Sequence, residues 1–238
     1  MKTEDIEYHA DGARLVGTLF VDDAKAGKRP GVLVAPEGGG LVDLTKSIAK
    51  RLAEAGYVAF AMDYYGDGKP LSDRAEVMPK INAFMAEPST IRDRATAALA
   101  VLSAQPETDT AHLAAIGYCF GGTTVLELAR SGADLKAVVG FHSGLATTRP
   151  AEPGVIRAKI LPCIGFRDPI IPPDQRLAFE KEMDVAGVDW RMNVYGQAGH
   201  SFTNPNAGVF GMEGFDYHEA TDKRSWRAMI DLFDEAFV

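Results

Sequence analysis

The residues best suited to chemistry lie in Gly117-Tyr118-Cys119-Phe120-Gly121-Gly122. An apolar run at 113–116 enters this hexapeptide and a helix-like stretch at 123–130 leaves it. Strand, tight glycine turn and helix together make the elbow that holds a nucleophile out of the chain. The side chain at its apex here is the thiol of Cys119. The glycines leave room for a sharp turn and a strained backbone. The helix that follows is expected to set free N–H groups and its positive dipole end near the sulfur, favouring the thiolate. A thiolate held in this way attacks acyl carbons. Taken alone, the hexapeptide also fits an inert buried cysteine before a glycine-rich helix start.

Two downstream residues extend the chemistry. Asp168 ends a predicted strand in Gly165-Phe166-Arg167-Asp168, and His200 follows the last predicted strand in Gly199-His200-Ser201-Phe202. The order nucleophile, acid, histidine is the one that goes with such an elbow. Both residues fall where strand C-termini meet loops, the edge at which parallel sheets bind ligands. His200 is expected to take the Cys119 proton and later activate the deacylating water, with Asp168 orienting the imidazole. Singly, Asp168 also reads as a turn aspartate before Pro169 and His200 as a polar loop residue. Their joint order and placement favour a triad.

Asp174 is the rival acid, but it falls in the first turn of a predicted helix, where Asp is stabilising. Asp63 also ends a strand, yet it precedes the nucleophile. His142 ends the strand after the elbow helix and reads as structural or pocket-lining, and Cys163 reads as core. His9, His112 and His218 carry no motif. The histidines and cysteines lack metal-ligand spacing, so neither a metal nor a cofactor is expected.

Pro36-Glu37-Gly38-Gly39-Gly40 follows an early strand. That position supplies one half of an oxyanion hole in elbow hydrolases, so the backbone N–H of Gly38 is expected to pair with that of Phe120. Glu37 beside them is placed to influence the protonation of Cys119, or else is a solvated loop acid.

The positioning elements alternate strand and helix, which predicts a largely parallel sheet covered on both faces. A hairpin is expected within 5–21 around Asp11-Gly12. Further strands are expected at 31–35, 57–62, 113–118, 137–141, 163–166 and 190–195. Pro162 is read as the first residue of its strand, since proline is not tolerated inside a sheet. Helices are expected after residue 40 on Leu44, Ile48 and Leu52 with a stop at Gly56, at 89–104, and at 173–186 on Leu177, Phe179 and Met183. A last helix carries Trp226, Ile230, Phe233 and Phe237. Residues 66–88 are irregular, with a short helix on Val77, Ile81 and Phe84, and suit a partial cover over the cleft.

The 238 residues suit one α/β domain spanning 1–238, and 46% hydrophobic with 24% charged residues is ordinary for a globular protein. The net charge of -8 argues against nucleic acid as a partner. No apolar stretch approaches the roughly 20 residues of a membrane span. The start, MKTEDIEYHA, lacks signal-peptide features, so a cytoplasmic location with free thiols at Cys119 and Cys163 is expected. The final amphipathic stretch suits packing on its own sheet or on a partner, which leaves the oligomeric state open.

On these motifs the chain resembles the dienelactone hydrolase family of the α/β-hydrolase superfamily over nearly its whole length. The resemblance rests on Glu37 after the early strand, the cysteine elbow at 117–122, Asp168 followed by Pro-Ile-Ile-Pro, and Gly-His-Ser-Phe at 199–202. It implies a Cys119, Asp168, His200 triad, with Glu37 helping to generate the thiolate when substrate binds. Well-known members carry an arginine shortly after the histidine that grips a substrate carboxylate. Here that stretch runs on to Asn204. A second family arginine corresponds to one of Arg74, Arg92 and Arg94. Three glycines after Glu37 suggest a roomier pocket. The expectation is therefore a small ester or lactone of a shape other than dienelactone, hydrolysed through a thioester on Cys119 without cofactor. The alternatives are a general short-chain carboxylesterase and a non-catalytic binding module of the same fold. A thiol-redox role would want a C-x-x-C pair, which the sequence does not contain.

Overall fold

The computed structural model covers residues 1–238 and describes all of them apart from the side chain of Phe210. The predicted hairpin is present as β1 (Lys2–Ala10) and β2 (Ala13–Val21), paired antiparallel about Asp11-Gly12. Strands β3 (Arg29–Ala35), β4 (Val58–Ala61), β5 (Thr108–Tyr118), β6 (Ala137–Phe141), β7 (Lys159–Gly165) and β8 (Asn193–Tyr195) follow. The eight strands form one sheet in the order β1-β2-β4-β3-β5-β6-β7-β8. All pairings beyond β2·β4 are parallel. This is the mostly parallel sheet of the α/β-hydrolase fold.

Alternation along each strand divides the core into two layers. Leu33 and Ala35 of β3 face one layer, Val32 and Val34 the other. Helices α1 (Asp43–Ala55) and α6 (Glu219–Ala236) cover the second face through Ala49, Leu52, Met229 and Phe233. The first face is covered by α3 (Pro88–Ser103), α4 (Phe120–Arg130) and α5 (Pro173–Val185). The remaining helix, α2 (Arg74–Ala86), is capped by Asp73 and buries only Phe84. Among the described residues no helix is long and apolar enough to cross a membrane.

The chain leaves β3 for β4 on one side, whereas β5 lies on the other side of β3. The connections after β3 and β5 therefore diverge, opening a crevice beyond their C-terminal ends. Residues 36–40 and Cys119 lie at that switch point.

Several expectations need correction. Pro162 lies inside β7, not at its start. Ile160 N–H bonds toward the β8 side, to Asp189 O, while Cys163 O accepts from His142 on the β6 side. By that parity Pro162 turns its missing N–H toward β8 between the lone bridge at Trp190 and the start of β8 at Asn193, so no ladder bond is lost. For the same reason the strand expected at 190–195 is shortened to three residues. Leu177 is 49% exposed. On α1 the buried face is Thr45, Ala49, Leu52 and Ala53, with Leu44 and Ile48 only at its margin.

Helix α4 is anchored by a buried ionic cluster. Arg130 reaches Glu127 on its own helix, Glu182 on α5 and the Leu145 carbonyl, and Arg92 of α3 pairs with Glu127. The Arg130 and Glu127 side chains are 1% and 3% exposed. Removing one partner strands buried charge. Arg130→Met is expected to cost about 3 kcal/mol in urea unfolding; a change under about 0.5 kcal/mol would show that the cluster does not anchor α4.

Candidate active site

Cys119 occupies the turn between β5 and α4 with φ 52 and ψ -119, a conformation that costs a non-glycine residue about 1–3 kcal/mol. Close backbone approach makes the turn possible. A Cβ at Gly117 would overlap the Gly121 carbonyl, and one at Gly122 would overlap the Ser143 hydroxyl. The sulfur is half-buried, and its thiol is free, as is that of Cys163. Burial pushes the Cys163 thiol up to about 12, against weaker influences from Tyr195 and Arg191. That cysteine is a core residue.

His200 Nε2 lies 3.2 Å from Cys119 Sγ, and His200 Nδ1 lies 2.8 Å from Asp168 Oδ2. The other Asp168 oxygen accepts the Ile170 N–H at 2.8 Å, which fixes the carboxylate. Asp168 and His200 are 5% and 1% exposed. Burial is the largest single influence on His200 and opposes its charge. The Cys119 sulfur and Asp168 outweigh it, and the imidazole is pushed up to about 10. The ring of Phe215 lies against His200, and His200 N–H is held by Gly214 O at 2.6 Å. Asp174 lies in the first turn of α5 as expected. Asp63 accepts backbone N–H bonds from Val16, Tyr65, Gly66 and Gly68, which makes it a loop organiser.

The loop after β3 lies beside the elbow, since a Cβ at Gly121 would overlap the Ala35 and Pro36 carbonyls. Two tyrosines that sequence reasoning passed over set its orientation. Tyr64 is fully buried and its hydroxyl donates to the Glu37 carbonyl, while Tyr65 donates to the Gly38 carbonyl at 2.7 Å. In a trans peptide the N–H points opposite its C=O. Tyr64 therefore aims the Gly38 N–H away from the core. The Phe120 N–H, at the first position of α4, has no intrahelical acceptor. Neither N–H has an acceptor among the described residues. Val77 and Ile81 of α2 pack above Gly38.

Glu37 Oε2 accepts from Asn204 Nδ2 at 2.8 Å, and Oε1 is buried with no partner among the described residues. Burial pushes the Glu37 carboxyl up, against Asn204 and the charge of His200, which pull it down. Of the three arginines considered, Arg92 is committed to Glu127 and the Arg149 carbonyl, and Arg94 to the Tyr64 carbonyl. Arg74 lies against the sulfur of Met212. Among the described residues no group of three or more His, Cys, Asp or Glu side chains is arranged to hold a metal ion.

The charge on His200 depends on the sulfur. Cys119→Ala removes the largest upward influence and leaves the opposing burial in place. The His200 pKa is then expected to fall from about 10, read by NMR titration of its ring nitrogens. An unchanged titration would show that the two groups are not coupled.

The model of the dienelactone hydrolase family matches residues 16–237. A solved structure named m3DLH is 45% identical, with a TM-score of 0.95 and coverage of 99% of this chain and 98% of that one. The crystal structure of a dienelactone hydrolase-like promiscuous phosphotriesterase from metagenomic libraries is 41% identical, with a TM-score of 0.93 over 99% and 98% of the two chains. A Yersinia pestis protein provisionally named carboxymethylenebutenolidase is 26% identical over 240 residues, covering 95% of this chain and 85% of its own. The family match spans both the elbow and the histidine loop, and on that basis the chain belongs to the dienelactone hydrolase family of hydrolases.

Proposed function

We propose that this chain hydrolyses a small carboxylic ester or lactone through a thioester on Cys119, within one α/β-hydrolase domain spanning residues 1–238. The observation that carries this reading is the unbroken relay from Cys119 Sγ to His200 Nε2 and from His200 Nδ1 to Asp168 Oδ2, at 3.2 and 2.8 Å, on a strained elbow. The Cys119 thiolate attacks the acyl carbon while His200 holds the proton. The carbonyl oxygen becomes an oxyanion and takes the free N–H groups of Gly38 and Phe120. Collapse expels the alkoxide, which takes the proton from His200 Nε2. Water then gives a proton to His200 and adds to the thioester, and the thiolate leaves as the acid is released. Asp168 holds the imidazole throughout.

Glu37 tunes the protonation of Cys119, a role its buried and unpaired Oε1 suits. Residues 66–88 serve as a partial cover through Val77 and Ile81 above Gly38. Asn204 at Glu37 and the engaged Arg92 and Arg94 favour a substrate without a carboxylate to grip. The setting is reducing and cytoplasmic, which keeps both thiols free. A second reading, phosphotriester hydrolysis by the same thiolate, is favoured by the 41% identity to the promiscuous phosphotriesterase.

A kinetic panel tests both readings, with short aryl esters, five- and six-membered lactones and a diethyl aryl phosphate, on the parent and Cys119→Ala. The expected result is turnover of a lactone or activated ester, lowered on the order of 10⁴-fold or more in the variant. Undiminished turnover in Cys119→Ala would remove Cys119 from the mechanism. Acyclic esters turned over at least as well as every lactone would make the chain a general carboxylesterase. A phosphotriester ahead of every carboxylic ester would install the second reading.

A further inference from the structure

We propose that His142 is a positioning residue that ties the Cys119 elbow to the loop carrying His200 and so sets the separation of sulfur and imidazole. The inference rests on the reading of Cys119 and His200 as the reacting pair.

His142 follows β6 directly and is fully buried. Its φ of 42 is strained for a residue with a side chain, and such strain persists only where the surroundings hold it. Its two ring nitrogens have partners on different segments. The Cys119 N–H donates to His142 Nδ1 at 3.2 Å while also donating to Phe141 O at 2.9 Å. A nitrogen that accepts from an N–H carries no proton, so the ring proton sits on Nε2. That N–H donates to Thr203 Oγ1 at 2.9 Å. One tautomer thus serves both bonds, and it requires a neutral ring. Burial first, and the nearby charge of His200 second, hold the His142 pKa well below its ordinary value.

The two partners are not arbitrary. One is the backbone of the residue that carries the sulfur. The other lies three residues beyond His200, across Ser201, which is itself strained at φ 55. The His142 ring also stands edge-to-face against His200 at 5.1 Å and against Phe202 at 5.2 Å. A histidine that only filled the core could satisfy its nitrogens on any neighbours. This one bonds to both segments that meet in the 3.2 Å contact between Cys119 and His200.

Four single variants and one double variant test it, with steady-state kinetics on a short p-nitrophenyl ester and thermal melts to fix the folded fraction. His142→Leu keeps much of the volume and loses both bonds. His142→Asn keeps an acceptor near the place of Nδ1. Thr203→Val removes the other partner, and Cys119→Ala is the control. His142→Leu is expected to lose about 10- to 100-fold in kcat, the scale of a small misplacement of reacting groups, with KM changed less than about twofold. His142→Asn should regain most of that loss. Thr203→Val should lose about 2- to 10-fold, and the His142→Leu/Thr203→Val double variant should be no slower than His142→Leu. A His142→Leu enzyme within about twofold of the parent, a His142→Asn enzyme as slow as His142→Leu, or additive losses in the double variant would each overturn the inference. If His142→Leu does not fold, Thr203→Val decides: a kcat loss at constant KM supports the tie and an unchanged kcat overturns it. Activity surviving in Cys119→Ala would instead overturn the underlying reading, an outcome the control makes separately visible.

Discussion

A Cβ at Gly121 would overlap the carbonyls at the end of β3, and one at Gly122 would overlap Ser143 just beyond β6. The start of α4 therefore lies directly on the backbone at the end of β3 and on the Ser143 side chain just beyond β6. This contact brings the free N–H of Phe120 beside the loop that holds Gly38. It also forces Cys119 into a backbone conformation that the surroundings must maintain. Three of the five non-glycine residues with positive φ among those described, Cys119, His142 and Ser201, lie within this small region. Strain concentrated at one place is held by the rigid sheet and by the ionic anchor of α4 at Arg130. The switch point between β3 and β5 supplies the crevice, and the glycines let two backbones share it.

Burial acts on Glu37, His142 and His200 with different outcomes. It pushes Glu37 and His142 toward their neutral forms. It opposes the charge on His200 as well, and only the sulfur and Asp168 overcome it. A neutral His142 can accept from the Cys119 N–H. A charged His200 can hold a proton for a leaving group. The same burial thus leaves two histidines 5.1 Å apart with pKa values moved in opposite directions, His142 downward and His200 upward through its charged neighbours.

The elbow, Asp168 and His200 were legible in the sequence because each is a local signal at a strand end. The glycine spacing around Cys119 has one dominant structural meaning, and the order of the three residues supplied the rest. The hairpin and the strand at 137–141 were legible for the same local reason. What escaped depends on neighbours distant in the chain. Pro162 sits inside β7 because β8 leaves a gap beside it, and nothing near residue 162 reveals that. Leu177 follows helical spacing yet points to solvent. Tyr64 and Tyr65 bond carbonyls 27 residues away, and a Tyr-Tyr pair after a strand carries no such message alone. Arg92 and Arg94 were interchangeable in sequence with Arg74 until their partners were known. His142 could be placed on the rim, but its two hydrogen bonds, one from the Cys119 N–H and one to Thr203, required the fold.

The central claim is that Cys119 forms a covalent bond to the substrate. Intact-mass analysis after rapid mixing with a short p-nitrophenyl ester, followed by peptide mapping, tests it most directly. The predicted result is a mass increase of one acyl group, mapped to the peptide containing Cys119 and decaying as the ester is consumed. An acyl group mapped elsewhere, or ester turnover in which no adduct forms on Cys119 even under quenching in acid, would contradict it.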